Sequence, residues 1–202
     1  DSSDNVVEKD GPIPFDYYTK NDDFARVDHK TLGERLGIFD FERGAKISGS
    51  GFPVYRGLGS RLERALIQFF LDEHQKNGFE EFTPPYLVTR NTMRGTGQLP
   101  KFEEDMYRCD KDDDLFLIPT AEVPLTNLYA GEVIPESELP KRICAYSACF
   151  RREAGSYGKD TRGLLRLHQF NKVEMVYFAH PEHSYEDHEE LTRFGEKLLE
   201  KL

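Results

Sequence analysis

Residues 150–174 read FRREAGSYGKDTRGLLRLHQFNKVE, and this stretch constrains the fold more than any other. Side chains alternate faces along a strand, so period-two patterning assigns residues to faces. An incoming strand over residues 142–153 places Arg151 and Glu153 on one face. A returning strand over residues 165–178 places Arg166, His168, Phe170, Lys172 and Glu174 on one face. Its other face carries Leu167, Gln169, Asn171, Val173, Met175 and Tyr177, is apolar at its far end, and is expected to meet the core. Residues 154–163 join the two strands. With three glycines and three charges, they read as a mobile loop. A solvated sheet face has little use for a phenylalanine in a row of charges. A nucleotide site does: arginines suit phosphates, an aromatic plane suits a base, and a carboxylate suits an amine.

The remaining elements are punctuated clearly. A short helix is expected over residues 29–36, stopped by Gly37. A longer helix is expected from Ser60, capped by Ser60 with Glu63. Leu62, Ala65, Leu66, Phe69 and Phe70 lie at helical spacing along it, and Gly78 is its C-terminal stop. It feeds a strand over residues 79–82, and then Pro84 and Pro85, which suit a sheet edge. Residues 115–118 read as a short buried strand and residues 122–130 as a helical turn with Thr120 available as its cap. A capped helix opens at Ser184, with Leu191, Phe194, Leu198, Leu199 and Leu202 on one stripe, and runs to the end without a stop signal.

Composition narrows the function classes. The 202 residues carry 38% hydrophobic side chains, enough for a sizeable core. A net charge of −10 argues against a broad nucleic-acid footprint, which is usually basic. Cys109, Cys144 and Cys149 form neither a disulfide framework nor a zinc pattern. Cys144 and Cys149 differ in parity and should face opposite ways. His180, His183 and His188 read as a solvated helix entry, and no metal ligands are assigned. No apolar run reaches membrane-spanning length.

FRREAG followed by RGLLRLHQFNKVEM resembles motif 2 of the class II aminoacyl-tRNA synthetases. Three further segments agree in order and spacing with the seryl branch, bacterial type: KISGSGFPVYRGLGSRLERALIQFF, GTGQLPKFEEDMY and LIPTAEVPLTNLYA. The resemblance covers residues 28–202. It implies an α+β fold, a mainly antiparallel sheet flanked by helices. Residues 1–23 would be a linker or N-terminal extension, and residues 24–202 a partial catalytic domain with motifs 1 and 2, truncated before the third motif and inactive alone. The family's coiled-coil arm is absent from the chain. The implied activity is ATP-dependent activation of L-serine to seryl-adenylate and its transfer to the 3′ end of tRNA(Ser), and of tRNA(Sec). The parent would be a cytoplasmic homodimer joined through motif 1, with no membrane association.

By the same resemblance, Arg151 is the catalytic residue, forking between the serine carboxylate and the α-phosphate. Serine contacts fall to Thr120, Ala121, Glu122, Arg151 and Glu174, with Thr120 and Glu122 at the amino group and Glu174 at the hydroxyl. ATP contacts fall to Arg151, Arg152, Glu153, Arg166 and Phe170, with Phe170 against adenine and Glu153 on its amino group. Magnesium is implied, with ligands expected beyond residue 202, and the segment around Gly95 is implied to form a turn over the site. Two other readings remain open. One is a non-catalytic synthetase-like binding module; the other is an amino-acid ligase that loads a carrier protein.

Overall fold

A computed structural model describes residues 27–109, 113–154 and 163–202. The expected linker at residues 1–23 and most of the loop at residues 154–163 lie outside the described residues. In chain order the elements are α1 (His29–Arg35), β1 (Phe39–Asp40), α2 (Phe41–Ser48), β2 (Val54–Tyr55), α3 (Leu58–Lys76), β3 (Glu80–Glu81) and β4 (Leu87–Thr89). Then follow α4 (Arg90–Gly95), β5 (Leu115–Leu117), α5 (Glu122–Asn127), β6 (Lys141–Phe150), β7 (Gln169–Phe178) and α6 (Ser184–Glu200). Short 3₁₀ turns cover Glu103–Asp105, Glu136–Glu138 and Pro181–His183.

The architecture is the expected α+β arrangement. The central sheet has the order β3-β6-β7; β6 and β7 pair antiparallel over ten residues, and β3 adds at the edge in parallel. The antiparallel pairs β1-β2 and β4-β5 flank it. Pro84 and Pro85 follow the edge strand, where the absence of an amide N–H costs no ladder bond.

Both faces of the sheet are used. On one, Val173, Met175 and Tyr177 of β7 pack with Cys144 against Leu71 and Phe79 and against Phe194 of α6, as the alternation requires. On the other, Val176 and Phe178 pack with Ile143 and Ala145 against Ala121 and Leu125. A third cluster joins Val88, Met93, Phe116, Ile118 and Val123. Met93, Phe116 and Ile118 are fully buried, and removing each from water contributes about 1.5–3 kcal/mol. Cys144 and Cys149 are free, buried thiols on opposite faces. Burial pushes the Cys144 thiol up to about 11 and raises that of Cys149.

Several boundaries differ from the sequence reading. β6 ends at Phe150, short of Glu153, and β7 begins at Gln169, after Arg166 and His168. Remote segments set both limits. The Gly51 carbonyl accepts from His168 N–H at 2.9 Å, and the Asp105 carbonyl accepts from Arg152 N–H at 2.9 Å, so each strand end bonds outside the ladder. Gly51 has φ +82, and a Cβ there would lie 2.4 Å from the His168 ring.

The Ser60–Glu63 box does not form. α3 begins earlier, at Leu58, behind Gly57 with φ +54, and no side chain caps it. The Glu63 carboxylate instead accepts from Asn171 Nδ2 at 2.7 Å. The core-facing residues of α3 are Ile67, Leu71 and His74, while Leu62 is 55% exposed. Gly78 does end α3, with φ +81. α6 lacks a side-chain cap: its cap position is His183, and Ser184, already inside the helix, donates its hydroxyl to the Pro181 carbonyl. Its stripe divides: Leu191 and Phe194 pack inward, whereas Leu199 and Leu202 are exposed.

One ion cluster ties α3 to the end of α6. The Glu73 carboxylate, only 8% exposed as a residue, accepts from Lys76 Nζ at 2.7 Å and also from Lys201 Nζ. These ammonium hydrogen bonds hold its carboxyl at about 2, below the ordinary 4.5. A depressed folded-state value adds stability that is complete above pH 4.5 and is lost as the pH falls towards 2. Glu73→Gln is therefore expected to be less stable than the parent at neutral pH, with the difference vanishing across that window. Denaturant titrations over that range check this, and a gap independent of pH would refute it.

Candidate functional site

The near end of the sheet face opposite α3 is left open, and the site forms there. The β6-β7 register sets its floor: Cys149 lies opposite Phe170, Ser147 opposite Lys172 and Ala145 opposite Glu174. Directly paired residues share a face. Small side chains on β6 thus leave room above the larger ones on β7.

Two adjoining cavities open here, and the second reaches past this face to Asn171 and to Glu63 of α3. The first, of about 420 Å³, is lined by Thr120, Glu122 and Lys172 together with Gln98, Phe102 and Asp105. The second, of about 730 Å³, is lined by Tyr55, Glu63, Phe170 and Asn171. Arg151, Glu153 and Arg166 line both. One cavity therefore carries the residues expected at an amino acid and the other the aromatic expected at a base. Arg151 stands where they meet.

Among the described residues, Arg151 is held without a carboxylate partner. Its Nε donates to the Pro119 carbonyl at 3.3 Å, and its guanidinium carbon lies 5.1 Å from the Phe170 ring centroid. Such a cation–π contact is worth about 0.5–1 kcal/mol at an exposed site. It orients the fork without spending its charge on a fixed anion. The following residues turn sharply. Glu153 has φ +51, a conformation costing roughly 1–2 kcal/mol for a residue with a Cβ. Asp105 holds the turn on both sides: its carbonyl accepts from Arg152 N–H, and its Oδ1 from Ala154 N–H at 2.8 Å. The turn brings the Glu153 carboxylate to Arg166 at 3.0 Å. Arg166 is 47% exposed, and such a pair is worth about 0–1 kcal/mol, little enough for an incoming phosphate to displace.

At the other end, Thr120 is buried, and its hydroxyl is fully engaged. It donates to Glu174 Oε2 at 2.6 Å and accepts from Lys172 Nζ at 2.7 Å and Glu122 N–H at 3.1 Å. The last contact reaches the first residue of α5, but the cap position itself is Ala121 and no side chain caps the helix, so Thr120 sits one residue before the cap expected of it. Lys172 Nζ also lies 2.5 Å from Glu174 Oε2. Thr120, Lys172 and Glu174 form a closed triangle. Glu122 is exposed and, among the described residues, makes no ion pair.

Most of the expected site residues converge here: Thr120, Glu122, Arg151, Glu153, Arg166 and Phe170 line the cavities, and Glu174 bonds to two residues that do. Two do not present side chains to the site. Ala121 is fully buried against Leu125, Ile143 and Ala145, because the first turn of α5 directs it into the core. Arg152 is exposed and lines neither cavity; its parity points it away from Arg151, and its amide bonds Asp105. Sequence reasoning also missed contributors. Lys172 was visible only as one charge in the alternating row, Gln98 only as part of a turn placed over the site, and Phe102 and Asp105 only as members of the segment GTGQLPKFEEDMY. Among the described residues, no group of three or more His, Cys, Asp or Glu is placed to hold a metal ion.

The chain is similar to known proteins over most of its length. The model of the tRNA synthetase class II core domain (G, H, P, S and T) matches residues 104–202. The serine–tRNA ligase of Chlorobaculum parvum is 56% identical over 199 residues, covering 98% of this chain and 45% of that protein. The serine–tRNA ligase of Desulfosudis oleivorans is 53% identical over 203 residues, covering 100% of the chain and 46% of the relative. The chain thus spans slightly under half the length of these curated relatives. A crystal structure of seryl-tRNA synthetase from Pyrococcus horikoshii complexed with ATP superposes with a TM-score of 0.81 at 44% identity, over 85% of this chain and 38% of that one. The cytoplasmic serine–tRNA ligase from Naegleria fowleri in complex with AMP gives 0.82 at 31% identity, over 86% and 41%. Residues 104–202 thus belong to the class II tRNA synthetase core domain, and the chain as a whole is similar to part of the serine–tRNA ligases.

Proposed function

We propose that the protein is a serine–tRNA ligase, acting in the cytoplasm, that activates L-serine with ATP and transfers it to the 3′ end of tRNA(Ser), and of tRNA(Sec). The observation that carries this reading is the meeting of two chemically different cavities at Arg151. The serine carboxylate attacks the α-phosphorus of ATP, pyrophosphate leaves, and a tRNA ribose hydroxyl then displaces AMP from the seryl-adenylate. The attacking carboxylate is already ionised, so the first step needs no general base. It needs alignment and positive charge where charge accumulates. Arg151 supplies both, Arg166 and Glu153 hold the nucleotide, Phe170 lies against adenine, and Thr120, Glu122 and Glu174 receive serine. Magnesium is expected to accompany ATP, and among the described residues no group of three or more His, Cys, Asp or Glu is placed to hold it.

Substrate choice tests the assignment. A pocket that hydrogen-bonds a substrate hydroxyl rejects the analogue lacking it, because its own polar groups are left unpaired. The full-length protein carrying this chain is expected to exchange pyrophosphate into ATP with serine far faster than with alanine, glycine or threonine. Equal exchange with alanine would overturn the reading.

Arg151→Lys keeps the charge and loses the fork. It is expected to slow adenylate formation by about 10²–10³-fold, the usual effect of losing one transition-state donor, with the fold intact. Near-parental single-turnover rates in a folded variant would show that Arg151 is structural.

The same reading includes a homodimer formed through α3 and the strand region that follows. Its support is the exposed apolar surface there: Leu58 at 69%, Leu62 at 55% and Leu87 at 43%. The chain is expected to sediment as a dimer, and a clean monomer at high concentration would remove the interface.

A further inference from the structure

The two carboxylates at the amino-acid end differ in electrical state. Glu174 has an ammonium, Lys172 Nζ, 2.5 Å from its Oε2, and the same oxygen accepts the Thr120 hydroxyl at 2.6 Å. Glu122 has neither contact and, among the described residues, no ion pair. An amino-acid substrate brings one cation, its α-ammonium. That group is attracted to an uncompensated carboxylate and repelled by a neighbouring ammonium. A compensated carboxylate still accepts hydrogen bonds but no longer favours a positive donor over a neutral one.

We propose that Lys172 is a positioning and specificity residue: by neutralising Glu174 and turning the Thr120 hydroxyl towards it, it reserves that end of the pocket for a neutral hydroxyl and leaves the α-ammonium to Glu122. The inference rests on the reading of the site as one that activates serine. It explains an otherwise costly feature. Lys172 is 31% exposed and spends its flexibility on two bonds inside a substrate pocket. A lysine that merely balanced charge could do so from the solvent-facing side. Here its ammonium bonds both the hydroxyl and the carboxylate. Without it, the pocket keeps its shape but presents two bare carboxylates, and a substrate with a second ammonium in place of the hydroxyl becomes acceptable.

β-Aminoalanine is that substrate, differing from serine only in an amine for the hydroxyl. The experiment compares pyrophosphate exchange with serine and with β-aminoalanine, at a pH where both amines of the latter are protonated. It uses the full-length protein and its Lys172→Met and Lys172→Arg variants. The parent and Lys172→Arg are expected to prefer serine to a similar degree, even if the arginine variant is slower. Lys172→Met is expected to shift the ratio of the two kcat/KM values towards β-aminoalanine by roughly tenfold or more, the factor that corresponds to about 1.4 kcal/mol. If Lys172→Met does not fold, Lys172→Gln carries the same expectation. A neutral variant that loses serine exchange with the ratio unchanged would overturn the inference, as would one with the parental ratio and rate. Serine exchange intact in the parent with an unmoved ratio in the variants is a failure of this inference alone. A parent that exchanges no serine overturns both it and the functional reading.

Discussion

The ten-residue antiparallel pairing of β6 with β7 is the interaction on which the rest of the structure depends. Its register places Phe170, Lys172 and Glu174 over Cys149, Ser147 and Ala145. A slip of one residue would exchange the faces of the whole strand. Val173, Met175 and Tyr177 would leave the cluster with Leu71 and Phe194, and the charged row would enter it. The packing that stabilises the sheet and the placement of the site are therefore a single requirement. Burying several large apolar side chains, at about 1.5–3 kcal/mol each, outweighs any alternative pairing that would displace them.

Around that pairing, short segments act as braces. Asp105 holds the turn that follows β6, and Gly51 accepts the amide that precedes β7. His168 Nδ1 lies 3.0 Å from the Arg151 carbonyl, and its ring stacks on Phe52 at 5.2 Å. The residues that touch the cavities are thus supported by segments distant in sequence, which keeps Arg151 and Glu153 in place beyond the end of the ladder. The strained backbone at Glu153 persists because hydrogen bonds on both sides of it specify it.

Much of this was legible in the sequence, and its limits have physical causes. Alternation over residues 165–178 separated the core face of β7 from the working face, because one face is apolar and the other is not. The termini of both strands were overextended, since the bonds that end them come from Gly51 and Asp105, which no local pattern reveals. The Ser60–Glu63 pairing looked like a cap by spacing alone. The glycine at position 57 starts α3 earlier, and Asn171 gives the Glu63 carboxylate a better partner. Ala121 sits between two residues that line the site, but helical geometry turns it inward. Lys172 was read as one member of a charged row because its role rests on a contact with Thr120, 52 positions away in sequence.

The floor beneath the site belongs to β6, yet Ala145, Ser147 and Cys149 contribute little chemistry of their own. Their contribution is what they leave unfilled. On the proposed function, the returning strand supplies the groups that recognise the substrate, whereas the floor strand determines how deep the pocket is. Capacity and selectivity are therefore written on separate, adjacent strands, and the size of the accepted side chain can change without altering the charges that grip it.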